Sequence, residues 1–418
     1  MACQTGLGRA MYVLEFLNGA AKERSRGAIH VEHRLLCSGE LYNRRVLTHD
    51  WRKSDITRVL LRKPCELYVA SQPFAAYPQE LCVRLALPYA TEQDGEGNFS
   101  AMRTFLPDDE VVEDFCSILS LLSRRLISPY AKTREEHPEV PERKPAFGSY
   151  EADIPTPIAA SRGASVWKPR PATVLTSFDG QKVIDHAPRA VGVDDGLLTQ
   201  FLRQLPDAAF AKQIVSACRL YRTALELIET RADIAYQLLI STVECLAGAV
   251  LAGFEPEDAE KLGAKAAVHR EAKAYGLEED KATALALLAC QGMGWTKRKF
   301  VKFLMDRLTP ADLSAEDTVF MVPEHFCPPP DNTAKTLGLI YTARSGNLHG
   351  GLGFPTTVGI GTSPYIHFRQ MPLNPLRPPD IPPVTWFERV VSVAAVKFLL
   401  DQTNVSAAPF IEQGLEEQ

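Results

Sequence analysis

Arg344 and His349 stand five positions apart in the run Tyr341-Thr342-Ala343-Arg344-Ser345-Gly346-Asn347-Leu348-His349-Gly350. Together they offer a permanent cation and an imidazole that titrates near neutral pH, an unperturbed histidine having a pKa of about 6.5. Cleavage of RNA by transesterification needs few groups. A proton acceptor takes the 2′-hydroxyl proton, a proton donor serves the leaving 5′-oxygen, and positive charge meets the phosphate. A guanidinium meets phosphate with a two-pronged hydrogen-bonding fork, so this chemistry requires no metal.

The spacing carries a geometric condition. Five positions of an unbroken helix amount to about 140° around its axis, and the two side chains would diverge. Gly346 and Asn347 are weak helix formers and Gly350-Gly351 follow, so the helix is expected to fray here and let the imidazole swing towards the guanidinium. Tyr341, one turn before Arg344, is either a donor to phosphate or a core tyrosine. Ser345 can hydrogen-bond a phosphate, and Asn347 either orients His349 or caps the helix. Leu337, Leu339, Ile340 and Tyr341 read as the buried face that holds the motif in place.

Elements upstream must position this helix. From Asp207 to Leu251 apolar residues recur in steps of three and four: Phe210, Ile214, Cys218, Tyr221 and Leu225, then Tyr236, Leu239, Ile240, Val243 and Leu246. That pattern predicts a helical hairpin with Asp207 as N-cap and Thr230-Arg231-Ala232-Asp233 as its junction. Glu244 lies in an apolar run where an unpaired carboxylate is costly to bury. It therefore meets Arg344 or a backbone donor, or else points to solvent from a helix edge. Near the end, Thr385 and Glu388 form the pattern of a capping box for a last helix over 386–402.

These features resemble the HEPN superfamily, and within it the ApeA-like branch. The resemblance rests on Tyr-x-x-Arg-Ser-x-x-x-His-Gly at 341–350 and on Glu244-Cys245-Leu246 late in the second helix of the hairpin, and covers roughly the second half of the chain. It implies an all-α helical bundle and a metal-independent endoribonuclease leaving 2′,3′-cyclic phosphate ends, with Arg344 and His349 catalytic and no cofactor. It also implies a homodimer whose two motifs share one cleft, in a bacterial antiviral or stress-response effector. Ser345 departs from the Asn, Asp or His that often follows the arginine. Two other functions stay open: a non-catalytic module binding RNA or protein, and the partner of a nucleotidyltransferase.

One basic stretch could guide RNA. Trp295 precedes Lys297, Arg298 and Lys299, and Thr296 is placed to cap an amphipathic helix whose polar face carries Lys299, Lys302 and Arg307. An aromatic beside clustered cations suits single-stranded RNA, by stacking and phosphate attraction. An ordinary solvated helix face has the same composition.

Composition narrows the classes further. The 418 residues carry 46 Lys and Arg against 51 Asp and Glu, a formal charge of −5. The acidic excess falls in the second half, so any RNA site there must be local rather than a general basic surface. Nine cysteines without a CxxC pair favour reduced thiols over disulfides or structural zinc. His30-Val31-Glu32-His33 lacks the Pro-Cys-x-x-Cys partner of a zinc deaminase, so no metal is expected. Arg9 and Glu15 interrupt any signal-peptide core, and no uncharged apolar run reaches membrane-span length; the expectation is a cytoplasmic protein without membrane contact. The glycines from Gly350 to Gly361 follow no nucleotide-binding spacing and read as a loop with a hairpin before Tyr365–Phe368.

The first half has strand-like alternation at Leu81–Leu87, with further strands expected at Tyr12–Phe16, Ile56–Leu61 and Leu67–Ala70. A helix is predicted from Asp108 to Ile127. The organisation expected is α+β: a sheet-containing module over 1–130, a proline-rich linker over 131–190 pinned by Trp167, a helical HEPN-type bundle over 191–405 and a flexible tail over 406–418. The first module would sense a trigger or bind a partner protein, or serve as a dimerisation scaffold.

Overall fold

The computed structural model describes residues 12–19, 27–37, 41–43, 65–69, 79–93, 99–104, 106–136, 174–176, 182–185, 191–228, 230–255, 258–291, 295–314, 328–350, 354–355 and 380–412. The expected strand at Ile56–Leu61, Trp167, and the hairpin before Tyr365–Phe368 lie outside these described residues. The chain is α+β, as its patterning predicts.

In the first half come α1 (Tyr12–Asn18), β1 (Gly27–Cys37), β2 (Leu41–Asn43), β3 (Cys65–Val69), β4 (Gln79–Gln93), β5 (Phe99–Thr104), α2 (Asp108–Ser123) and β6 (Ile127–Glu136). The alternation of β4 puts Leu81, Val83, Leu85 and Leu87 in the core, and antiparallel pairing sets Leu35, Val31 and Ile29 of β1 opposite Leu81, Leu85 and Leu87. The sheet runs β3-β4-β1-β6, with β5 also on β4. Residues 12–18 are helical rather than extended. The reason is period: Val13 and Phe16, three apart, are the buried pair, and they pack on α2. Arg124 adopts a left-handed φ of 54° that stops α2 short of Ile127, which instead opens β6. The first residues of the expected linker, 131–136, continue that strand against β1.

Further strands follow: the hairpin β7 (Val174–Thr176) and β8 (Lys182–Asp185), and β9 (Val191–Val193). The second half is then helical: α3 (Asp195–Gln204), α4 (Ala211–Leu227), α5 (Ala232–Val250), α6 (Asp258–Ala274), α7 (Glu279–Gln291), α8 (Thr296–Met305), α9 (Pro310–Ser314), α10 (Thr333–Gly350) and α11 (Val384–Thr403). Asp194 caps α3, its Oδ1 accepting from the amides of Gly196 and Leu197. Asp207, expected as a cap, sits in a 3-10 turn, and α4 begins beyond it at Ala211. α5 is long and apolar enough to cross a membrane by composition; in this fold it packs between α4, α8 and α11. Leu339, expected inside, is exposed, whereas Leu337 and Ile340 are buried.

The capping box at the start of α11 does not form. Burial overrides the local pattern: Glu388 is fully buried, bound by the guanidinium of Arg124 (Nη2–Oε2 2.6 Å) and by the hydroxyl of Tyr221. Thr385 is also buried, and its hydroxyl has no hydrogen-bond partner among the described residues. α2 is tied to α4 as well, through Asp114 to Arg219 and Glu113 to Arg222. One hydrophobic core therefore runs from Val13 to Phe410, and the boundary expected near residue 130 is not a boundary in packing. The tail is ordered through β10 (Phe410–Glu412), which pairs antiparallel with β9, while β2 pairs with β9 in parallel on its other edge.

Candidate functional site

α10 carries every residue of the motif, and it is helical without interruption from Thr333 through Gly350. The expected fraying before His349 does not occur. Gly and Asn each cost a helix no more than about 1 kcal/mol relative to alanine, which one good contact offsets. Asn347 has such a contact, its Oδ1 accepting from the Nε2 of Gln237 on α5. It thus bridges two helices instead of capping one. The consequence is that the backbone positions of Arg344 and His349 stand about 140° apart around α10.

Arg344 is held on the α5 side. Its Nη1 donates to Oε1 of Glu244 at 2.9 Å, and its Nη2 lies 2.7 Å from Oε2, so the two groups form a bidentate pair. Tyr341 donates to the same Oε1 at 2.8 Å. Its ring packs 5.3 Å from that of Phe300 and 5.9 Å from the Arg344 guanidinium carbon. Partial burial, and next the carboxylate of Glu244, push the Tyr341 hydroxyl above its ordinary pKa, although Thr296 and Arg344 act in the opposite sense. Of the readings left open by sequence, Glu244 meets Arg344, and Tyr341 is a packed tyrosine whose hydroxyl is engaged. The Nε of Arg344 is buried without a hydrogen-bond partner among the described residues.

The basic helix α8 packs on α5, α10 and α11 and buries Phe300, Phe303 and Leu304, the ring of Phe300 against Tyr341 and that of Phe303 against Phe398. Trp295, in a left-handed conformation with φ 49°, occupies its cap position; Thr296 is already helical and makes no cap bond. The cations of this stretch divide by partner. Lys302 pairs with Asp306 at 3.1 Å, Lys299 donates to the carbonyl of Ala252 at 3.4 Å, and Arg298 is exposed. Lys297 reaches the motif helix, donating to the hydroxyl of Thr342 at 2.9 Å. Its stem runs past Gly338, where a Cβ would meet Lys297 Cε at 3.4 Å. Arg307 leaves the polar face: its guanidinium covers the ring of Phe303 at 4.1 Å, and burial lowers its pKa.

The structure thus gathers Glu244, Tyr341, Arg344 and Asn347 along the α5–α10 seam and sets Lys297 beside Thr342 on another face of α10. Ser345 is exposed. Pairings between segments a hundred residues apart are not written in local spacing; only Glu244, a carboxylate in an apolar run, signals one.

One cluster escaped sequence reading. His33 of β1 and Asp108 and Asp109 of α2 bring possible metal-ligand atoms within 4.8 Å of one another. The His33 Nε2 is 2.9 Å from Asp108 Oδ2, and Lys132 Nζ is 3.1 Å from the same oxygen. Burial would raise the Asp108 carboxyl, but the hydrogen bond from His33 and the charge of Lys132 outweigh it and hold the pKa at about 2. A lysine already neutralises this corner, which therefore reads as a strut between sheet and helix. The side chains of Cys37, Cys82, Cys116 and Cys218 are buried, and burial raises the thiol pKa of Cys116 and Cys218 far above the reactive range.

No protein-family model, no curated protein and no solved structure matches this chain.

Proposed function

We propose that this protein is a metal-independent endoribonuclease of the HEPN type, a cytoplasmic effector of bacterial antiviral defence or stress response that cuts RNA as a homodimer. The observation that carries the reading is the bidentate Glu244–Arg344 pair, steadied by Tyr341, on a helix whose last turn includes position 349 and which is flanked by the basic helix α8. In cleavage the 2′-oxygen bonds to phosphorus and the P–O5′ bond breaks. One imidazole takes the 2′-hydroxyl proton, and a second group returns a proton to the departing 5′-oxygen, leaving a 2′,3′-cyclic phosphate. Arg344 stabilises the charge that grows on the phosphoryl oxygens, in exchange for part of its bond to Glu244. Trp295 and the cations of α8 guide the single strand.

The divergence of Arg344 and His349 around α10 has a direct bearing on this scheme. Their backbone positions diverge on one helix, so in this scheme the composite site takes its arginine from one protomer and its histidine from the other. The same divergence favours a second reading, a module that binds RNA or protein without cutting it.

The test is cleavage of end-labelled total and transfer RNA by the purified protein in excess EDTA, beside His349→Ala. Cyclic-phosphate ends from the unaltered protein only would support the nuclease. Equal cleavage by both proteins would sink the motif as catalyst. Absence of cleavage from folded dimer would move the weight to the binding module.

A further inference from the structure

Positions 338, 342, 345 and 349 of α10 share one face, within an arc of about 60°, because steps of four, three and four nearly close whole helical turns. Gly338 contributes no side chain there, Thr342 and Ser345 are exposed, and His349 stands at the far end. Lys297 crosses onto this face from α8, its stem over Gly338 and its ammonium on Thr342. Arg344 stands on the other side of the helix, facing α5, with both terminal nitrogens on Glu244.

The electrostatic contrast between the two cations decides what each can do. The Arg344 charge is matched by a carboxylate within 3 Å of both nitrogens. Among the described residues Lys297 has no carboxylate partner, and its hydrogen bond goes to a neutral hydroxyl whose own proton is given to the Gly338 carbonyl at 2.9 Å. A phosphate arriving at Arg344 must displace a carboxylate; one arriving at Lys297 displaces only water. The ammonium is also exposed, so its charge is felt before contact.

We propose that Lys297 is the substrate-binding cation: it seats the phosphodiester backbone of single-stranded RNA on the 338–342–345–349 face of α10, with Thr342 and Ser345 as hydroxyl contacts. Arg344 contributes little to this ground-state binding. The inference rests on the ribonuclease reading and names its ground-state phosphate site. From Thr342 to His349 the rise is about 10 Å, a gap that a short stretch of single strand bridges between its anchored phosphate and the imidazole. Lysine suits such a seat because its ammonium is a compact point charge on a flexible stem and tolerates any base sequence.

The experiment measures binding of a fluorescein-labelled 2′-O-methyl oligouridylate, which cannot be cleaved by this route, to the full chain across a range of salt concentrations. Lys297→Ala is expected to weaken binding about fivefold at 0.1 M salt and to lower the slope of log affinity against log salt by about 0.7, the value for one phosphate contact to a single strand. Lys297→Arg should restore most of both. Lys335→Ala, an exposed cation at the other end of α10, should change neither beyond the effect of its bulk charge. With cleavable RNA, Lys297→Ala should raise KM and leave kcat nearly unchanged. Unaltered affinity and salt slope in Lys297→Ala, in a protein that binds the oligonucleotide, would overturn the inference and leave the nuclease reading standing. Failure of the unaltered protein to bind the oligonucleotide at all would overturn both.

Discussion

Glu244 governs what Arg344 can do. Its two oxygens fix the guanidinium and at the same time compete with phosphate for it. Glu244→Gln should release that competition while leaving a part-buried cation short of its partner. The expected result is a loss of about 1–3 kcal/mol in chemical denaturation, together with tighter RNA binding at low salt; weaker binding would mean that the carboxylate only positions the arginine. His349→Ala should lower cleavage by roughly a hundredfold to ten-thousandfold, the usual worth of a proton-transfer group, with little change in melting temperature. The Glu244 contact was legible because burying a lone carboxylate is costly. Lys297 on Thr342 was not, because that contact joins two helices through a glycine whose neighbour no local pattern reveals.

Element by element, sequence was most informative where periodicity alone decides. The α4–α5 hairpin, β4 and α11 follow their apolar repeats. The misreadings in α10 and α11 share one cause, tertiary contacts overriding a local signal. α10 keeps its helix through Gly346 and Asn347 because a neighbour holds Asn347, and Glu388 abandons a capping role because Arg124 and Tyr221 claim it. Removing Arg124 should therefore cost far more than a surface substitution. Arg124→Ala leaves Glu388 buried and unmatched, and about 3–5 kcal/mol should be lost in urea unfolding. The corner at the start of α2 makes a different prediction. Asp108 has its pKa held at about 2 in the folded chain, below the ordinary value of 3.8, so the unfolded chain takes up that proton first as pH falls. Its contribution is complete above about pH 4 and disappears as pH drops through 2. In Asp108→Asn that acid-labile part, up to about 2 kcal/mol before discounting for partial exposure, should be missing from the pH profile of stability. Among the described residues none of the α6–α7 hairpin belongs to the main hydrophobic core, and Leu288 is exposed at 66% and Tyr275 at 80%. Leu288→Glu should leave the fold within about 0.5 kcal/mol of its stability. If a second copy covers that face, sedimentation will show the dimer weakened; an unchanged dimer places the interface elsewhere.

Across the whole molecule, the first half and the helical half are not a detachable pair. The sheet reaches the helices through α2, and α2 shares its buried charges with α4 and α11. Deletion of residues 1–137 should then give an aggregating fragment rather than a freed nuclease, as read by size exclusion and circular dichroism; a folded, monodisperse fragment would show that the helical half stands alone. Sequence suggested separable modules because composition changes sharply between the halves, and composition says nothing of shared core. The short strand β9 has a consequence for how the chain is made. Its neighbours are β2, from far upstream, and β10, which follows the whole run of helices, so that small sheet stays unfinished until the helical half has been made. The nascent chain thus waits on β10 before this sheet can close. A ribosome stalled shortly before residue 410 would leave a chain with one edge of β9 unpaired, open to a stray strand and to the proteases and chaperones that recognise one.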